Sequence, residues 1–101
     1  MSSELKAIVF KTTRLKETMN FFELVLGMKI EECSRMHFLI YRGDLRILFV
    51  RTDSGPEVEF YLTKKSGEGL SVLNDPNQIK IITICEKSNL DNAIVIHQGF
   101  Q

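Results

Sequence analysis

Apolar positions in the first part of the chain change from a strand pattern to a helix pattern. The run LKAIVFKT, residues 5–12, is rich in apolar and β-branched residues, which predicts a strand covered on both faces. Thr13 is the predicted N-cap of the helix that follows, and Gly27 is expected to end it in the left-handed conformation. The apolar stripe of this helix recurs every three or four residues, at Leu15, Met19, Phe22 and Leu26.

Three strands are predicted after this helix. The segments MKIEECS, RMHFLIYR and DLRILFVRT are typical of strands, and Arg42-Gly43-Asp44 is the predicted hairpin turn. The order is therefore strand, helix and three strands. Ser54-Gly55-Pro56 then interrupts the pattern, since proline lacks an amide donor and glycine tolerates unusual backbone angles.

The remainder of the chain predicts three more strands and a short helix. Residues 57–65, EVEFYLTKK, alternate so that one face carries Val58, Phe60 and Leu62 and the other carries Glu57, Glu59, Tyr61 and Thr63. KSGEG is a predicted turn, and Asn74-Asp75-Pro76-Asn77 predicts a turn between two further strands. Residues 89–98 have helical spacing after an Asn89 or Ser88 cap, although the β-branched residues 94–96 also suit a strand.

Size and composition restrict the class of protein. The 101 residues carry 13 basic and 13 acidic side chains, so no basic surface favours nucleic acid or an anionic membrane as partner. Apolar runs such as ILFV fall far below the roughly 20 residues that span a bilayer, and no apolar signal core follows MSSELK. Cys33 and Cys85 form no CxxC pair, so we expect a cytoplasmic protein with two free thiols.

Several segments together resemble a known family. They are KAIVFKT, RLKETMNFFELVLGMK with its Phe21-Phe22 and Leu26-Gly27 pairs, MKIEE, and the turn NDPNQIKII. This combination resembles the vicinal oxygen chelate superfamily, which includes glyoxalase I, extradiol dioxygenases, fosfomycin resistance enzymes and bleomycin resistance proteins. The resemblance implies an α+β fold of βαβββ modules whose curved mixed sheet surrounds a cleft. We expect one domain over residues 1–101, with a first module at 1–53 and a degenerate or partial second module at 57–101, since no helix can be placed between Glu57 and Ile79.

The same resemblance implies positions for metal ligands, and these positions hold unsuitable residues. The first ligand position falls at Ala7, the carboxylate of the fourth strand falls near Ile47 or Leu48, and the last ligand falls at Lys80. Alanine cannot ligate, and a lysine repels a cation. We therefore predict no metal and no other cofactor at this site.

Two groups of residues are candidates for function. Tyr41, Arg46, Tyr61 and His37 are the predicted ligand-binding residues, and Arg51 is a further candidate, because aromatic rings and guanidinium groups suit an aromatic or anionic ligand. The alternative is ordinary sheet surface. His37, Glu57 and Glu59 are the alternative metal ligands, although the two glutamates also suit a solvent-facing strand.

These features favour a binding protein over an enzyme. No GxSxG motif, phosphate loop or activated cysteine is present, and no catalytic residue is predicted. We expect an apolar or aromatic small molecule in a cleft, and a homodimer that covers the exposed edges and apolar faces of a half-module. The alternatives are a metal-dependent lyase, isomerase or dioxygenase with a displaced ligand set, or an interaction domain without a small ligand.

Overall fold

The structure is a computed structural model that describes residues 3–65, 70–85 and 89–98. Its elements are β1 (Glu4–Thr12), α1 (Leu15–Asn20) with a π-helical continuation (Phe21–Val25), β2 (Glu32–Cys33), β3 (His37–Arg42), β4 (Leu45–Arg51), β5 (Glu57–Lys64), β6 (Leu70–Asn74), β7 (Lys80–Cys85) and α2 (Leu90–Gln98). The predicted turn KSGEG falls mostly on residues 66–69, which lie outside the described residues. None of the described helices is long and apolar enough to cross a membrane.

All seven strands form one mixed sheet in the order β2-β3-β4-β1-β5-β7-β6. β1 pairs in parallel with β4, and α1, β2 and β3 lie between them along the chain, so the first half is a βαβββ unit. β5 and β7 repeat the parallel pairing in the second half, but without a helix in the described residues 57–65 and 70–79. The antiparallel pairing of β1 with β5 joins the two halves. The predicted α+β fold with a mixed sheet is confirmed.

The sheet has two faces, and each carries one helix. The face under α1, called the α1 face, is defined by the buried aromatic residues Phe38 and Phe49, which stack at 4.3 Å between ring centroids. The face under α2, called the α2 face, is defined by Ala7, Tyr61 and Ile82, all of them completely buried. Because side chains alternate along a strand, successive residues of β1 contribute to opposite cores.

The first helix begins one residue later than predicted, and its last turn is not a regular α-helical turn. Thr13 is not the N-cap; Arg14 occupies that position without a side-chain cap bond, and the Thr12 hydroxyl accepts a hydrogen bond from its amide at 3.0 Å. The last turn is π-helical, with the Leu26 amide donating to the Phe21 carbonyl. This wider turn rotates the later side chains, so Leu26, predicted to be buried, is 51% exposed. Gly27 ends the helix with φ 68°, as predicted.

Other elements follow their sequence signals more closely. The hairpin between β3 and β4 turns at Gly43, and β5, β6 and β7 lie in the predicted segments. The open choice for residues 89–98 is resolved as a helix, with Asn89 Oδ1 accepting a hydrogen bond from the Asn92 amide at 3.0 Å. β2, predicted over MKIEECS, is only two residues long.

The end of α1 provides a test of backbone strain without any steric contribution. A Cβ added at Gly27 would meet nothing within 4 Å, so the positive φ is the whole cost of a substitution. We expect Gly27→Ala to lower the free energy of unfolding by about 1 kcal/mol, and Gly27→Asn, which tolerates this conformation, to lower it less. Urea denaturation measures both variants, and equal losses would contradict a conformational origin.

The turn between β6 and β7 should make stability depend on pH. Hydrogen bonds from the backbone amides of Ile79 (2.7 Å) and Asn77 (2.9 Å) to the Asp75 carboxylate lower the pKa of that group. The stabilisation is therefore present above the unfolded-state pKa of about 4 and is lost as pH falls through the lower folded-state value. We expect Asp75→Asn to flatten this acid limb in thermal melts between pH 6 and pH 2. An unchanged limb would contradict the role of Asp75.

Candidate functional site

The predicted ligand-binding residues lie on one face of the sheet. Across the strands, Tyr41 pairs with Arg46, Arg46 with Ala7, and Ala7 with Tyr61, which places these four residues in one row on the α2 face. His37 shares this face but lies nearer the other end of β3, where it pairs with Val50. The four predicted residues therefore share one surface of the sheet.

The centre of this surface is occupied by the chain itself. Ile94 is buried in the same core cluster as Ala7 and Tyr61, and Leu90 and Ala93 of α2 pack against that cluster. The Arg46 Nη1 atom donates a hydrogen bond to the carboxylate of Asp91 on α2. Tyr61 is consequently 0% exposed, so it supports the helix from below and lies out of reach of an external ligand.

A hollow of about 280 Å³ remains beside α2, between this helix and the β3–β4 hairpin. His37, Tyr41 and Arg46 line it, so three of the four predicted residues meet there. The guanidinium carbon of Arg46 lies 5.9 Å from the centre of the Tyr41 ring. The buried Nε of Arg46 has no hydrogen-bond partner among the described residues, which leaves a donor for a small ligand. The other residues that line this hollow are Glu32, Leu39, Leu48, Asp91 and Ile94.

Glu59 is placed differently from the solvent-facing position that alternation suggested. Its side chain is completely buried on the α2 face, whereas Glu57 is exposed. The Lys11 Nζ atom lies 2.9 Å from Glu59 Oε2, and the Tyr61 hydroxyl lies 3.4 Å from Glu59 Oε1. Alternation shows which residues of β5 share a face, but it does not show that α2 covers the face with the polar residues.

The candidate metal ligands are not brought together. Along one row of paired residues His37 faces Val50, Val50 faces Lys11 and Lys11 faces Glu57, so three strand spacings of about 4.8 Å separate His37 from Glu57. No group of three His, Cys, Asp or Glu in the described part of the chain could hold a metal ion.

The positions that the family resemblance implies for metal ligands hold residues that do not coordinate metal here. Ala7 and Leu48 are buried among apolar side chains. Lys80 lies opposite Glu59 in the register of β7 and β5. The residues at these positions therefore do not fit a chelated metal ion.

A larger hollow lies on the other side of His37. It measures about 480 Å³ and separates the start of α1 from the turn between β2 and β3. Leu15, Met19 and Phe38 supply apolar lining from α1 and β3. The polar lining consists of Thr13, Lys16, Glu17, Ser34, Arg35, His37 and Arg51.

Cations surround this larger hollow. Lys16, Arg35 and Arg51 are exposed and take part in no salt bridge among the residues described, whereas the carboxylate of Glu17 is held by Arg14 at 2.7 Å. The hollow is therefore positive although the chain as a whole is neutral. Arg51 is a candidate from the sequence, but no sequence signal points to Lys16 and Arg35, because these two come together only when α1 folds against the β2–β3 turn.

The β2–β3 turn is held by the side chain of Ser34. Its hydroxyl oxygen accepts hydrogen bonds from the amides of Met36 at 3.1 Å and His37 at 3.2 Å, and it lies 2.8 Å from the His37 Nδ1 atom. This arrangement fixes the imidazole between the two hollows. Ser34 here organises a turn, and its hydroxyl is engaged by three groups of that turn.

Comparison with known proteins supports the fold. No protein-family model and no curated protein matches the sequence. A hypothetical protein from Staphylococcus aureus superposes with a TM-score of 0.68 at 7% identity, over 80% of this chain and 33% of its own, so the chain spans about a third of that protein. The hypothetical protein BH1468 from Bacillus halodurans superposes with a TM-score of 0.60 at 14% identity, over 88% of this chain and 98% of its own.

Two further solved structures superpose less well. A Legionella pneumophila protein described as an NAD-dependent benzaldehyde dehydrogenase gives a TM-score of 0.57 at 12% identity, over 78% of this chain and 96% of its own. A Bacillus halodurans protein whose name includes the word glyoxalase gives only 0.44 at 14% identity, over 80% of this chain and 94% of its own, a similarity too low to support an inference. At these identities the likeness concerns the fold alone.

The buried pair of Lys11 and Glu59 should couple strongly. Lys11→Met leaves the Glu59 carboxylate buried without this cation, and we expect a loss of about 3 kcal/mol in the free energy of unfolding. Combined with Glu59→Gln, the loss should be smaller than the sum of the two single losses, as urea denaturation would measure. Lys6→Met is the matched control on β1, because its ion pair with Asp44 is largely exposed, and it should cost much less. Additive losses would show that the pair is not coupled.

Proposed function

We propose that this chain is a small-molecule-binding protein whose ligand has an apolar or aromatic body and an anionic group. The observation that supports this proposal is the larger hollow, in which three cations without salt-bridge partners among the described residues surround an apolar floor. Its volume of about 480 Å³ falls in the range of about 300 to 1,000 Å³ that is usual for ligand pockets.

The chemistry of the lining fits such a ligand. Guanidinium groups such as those of Arg35 and Arg51 donate paired hydrogen bonds to a carboxylate or phosphate, and Lys16 adds a third charge. The ligand's apolar body would rest on Met19, which is partly exposed, whereas Phe38 is completely buried in the α1-face core. His37 would contact the ligand at the edge nearest the sheet, where its position is fixed by Ser34.

The smaller hollow on the α2 face is the less favourable place for an anion. Arg46 is already engaged by Asp91, and Glu32 adds another negative charge to the lining. Tyr61 is buried beneath α2 and lines neither hollow. Of the four residues predicted from the sequence, His37 is the one that lines the larger hollow, and it also lines the smaller one.

The anion preference can be tested with a pair of probes that differ in charge. Naphthalene-2-carboxylate should bind, and its neutral amide should bind at least about tenfold more weakly, because one charge-assisted hydrogen bond contributes on the order of 1.4 kcal/mol or more. Amide shifts in two-dimensional NMR titrations give both the affinity and the location, which should be residues 13–19 and 34–38.

Two substitutions complete this test. Arg51→Gln should weaken carboxylate binding about tenfold with little effect on the amide. Arg42→Gln is the matched control, since Arg42 is also exposed but lies at the opposite end of β3 from His37. Equal binding of both probes, or equal effects of both substitutions, would reject the proposed site.

A further inference from the structure

The α1 face of the sheet is covered over only one half. α1 and its π-helical continuation pack on Phe38, Phe49 and Phe10, which belong to β3, β4 and β1. The register places further apolar residues of β5, β7 and β6 on the same face, since Phe10 pairs with Val58 and Ile8 pairs with Phe60. We call this surface the open half; it consists of Leu5, Val58, Phe60, Leu62, Leu73 and Ile81.

No described helix packs on the open half. Leu5 is 44% exposed and Leu73 is 57% exposed, and the other four residues are partly exposed. In the first half of the sheet the corresponding surface is buried by α1, which lies between β1 and β2 in the chain. No helix is seen after β5 in the described residues 57–65 and 70–79, so this part of the sheet lacks a cover of its own.

A second apolar surface lies at the end of α1. Phe21, Leu24, Val25 and Leu26 are 48%, 75%, 67% and 51% exposed, and we call them the helix-end patch. They are exposed because the π-helical turn directs them away from the sheet, while Phe22 packs inward on Phe49 with ring centroids 4.8 Å apart. The helix-end patch and the open half therefore lie on the same side of the sheet.

An apolar groove of about 400 Å³ runs along the helix on this side. Phe22 of the helix, Ile8 and Phe10 of β1, Ile47 and Phe49 of β4, and Pro56 line it together with polar residues at the start of α1. Its lining is continuous with the open half, because Ile8 and Phe10 pair directly with Phe60 and Val58. A side chain that protruded from a second helix would fit beside Phe22 in this groove.

We propose that a second copy of this chain covers the open half, with the helix-end patch of each copy packed on the open half of the other. A two-fold axis makes both contacts at once, and the assembly closes as a dimer. The two α1 helices then form one layer between two sheets, and each sheet gains a helix over its open half. Neither set of residues includes a charged side chain, and the exposed Glu23 lies between Phe22 and Leu24 at the border of the helix-end patch.

The chain itself supplies a reason why the occupant is a second copy. A different partner with one apolar surface would cover either the open half or the helix-end patch and leave the other exposed. A second copy covers both, since one surface is a projecting helix and the other is a sheet without a helix. Exposed apolar patches of this extent usually mark interaction sites.

Sedimentation of the intact chain and three variants tests this arrangement. At tens of micromolar the protein should sediment at about twice its 11.6 kDa chain mass. Leu24→Glu in the helix-end patch and Leu73→Glu in the open half should each convert it to a monomer. Leu70→Glu is the matched control, since Leu70 belongs to the same strand as Leu73, is 46% exposed, and lies on the α2 face. This variant should remain dimeric, and circular dichroism should show all three variants folded.

Three outcomes would overturn the proposal. The first is a monomeric parent chain, and the second is a dimer that survives both Leu24→Glu and Leu73→Glu. The third is a dimer that is lost equally in the Leu70→Glu control, because this loss would indicate pairing through the edge of β6. A second measurement avoids substitution altogether. In a dimer mixed from differently labelled copies, methyl contacts between Leu24 or Val25 and Leu73 or Ile81 of different copies should appear in isotope-filtered NMR spectra, and their absence would also reject the arrangement.

Discussion

The burial of β1 on both faces is the constraint on which the rest of the structure depends. β1 lies in the middle of the seven strands, parallel to β4 on one side and antiparallel to β5 on the other. Ala7 and Val9 enter the α2-face core, and Phe10 packs against the core of the α1 face. A central strand with two buried faces requires a cover on each side. The two helices provide these covers, and their positions decide where hollows remain.

The cover on the α2 face also determines the chemistry that is left there. In the family that the sequence resembles, the concave surface of the sheet holds metal or ligand. Here α2 lies on the α2 face, and its Ile94 is buried with Ala7 and Tyr61. The Arg46–Asp91 pair links helix and sheet at the rim of this packing. A small alanine at the centre of the row is compatible with a helix packed close above it, whereas a coordinating side chain would require the space that Ile94 occupies.

The cover on the α1 face is too short, and both remaining features on that side follow from this. At its start, α1 does not fill the space next to the β2–β3 turn, and the positively charged hollow remains. At its end, the π-helical turn exposes apolar side chains on the same side of the sheet as the open half, on which none of the described helices packs. The proposed ligand site and the proposed dimer contact thus use different ends of one short helix.

Local patterns in the sequence determined the elements and their order. Apolar periodicity located α1, proline and glycine located the break at residues 54–56, and the Asn89 cap located the start of α2, because each of these signals acts within a few residues. Strand alternation also determined which residues of one strand share a face, as for Glu59 and Tyr61 of β5. The π-helical turn was not predicted, since three- and four-residue spacing does not distinguish it from a regular helix.

Only the tertiary structure decided which face of each strand is covered, and by what. Alternation in β5 is the same whether Glu59 faces water or a core, and its burial depends on residues far away in the chain, such as Lys11 of β1, whose Nζ atom lies 2.9 Å from the carboxylate. Lys16, Arg35 and Arg51 likewise belong to three separate elements, and they surround one hollow because the sheet places the β2–β3 turn beside α1. Distances between such segments are set by the packing of the whole chain. A short stretch of sequence does not contain this information.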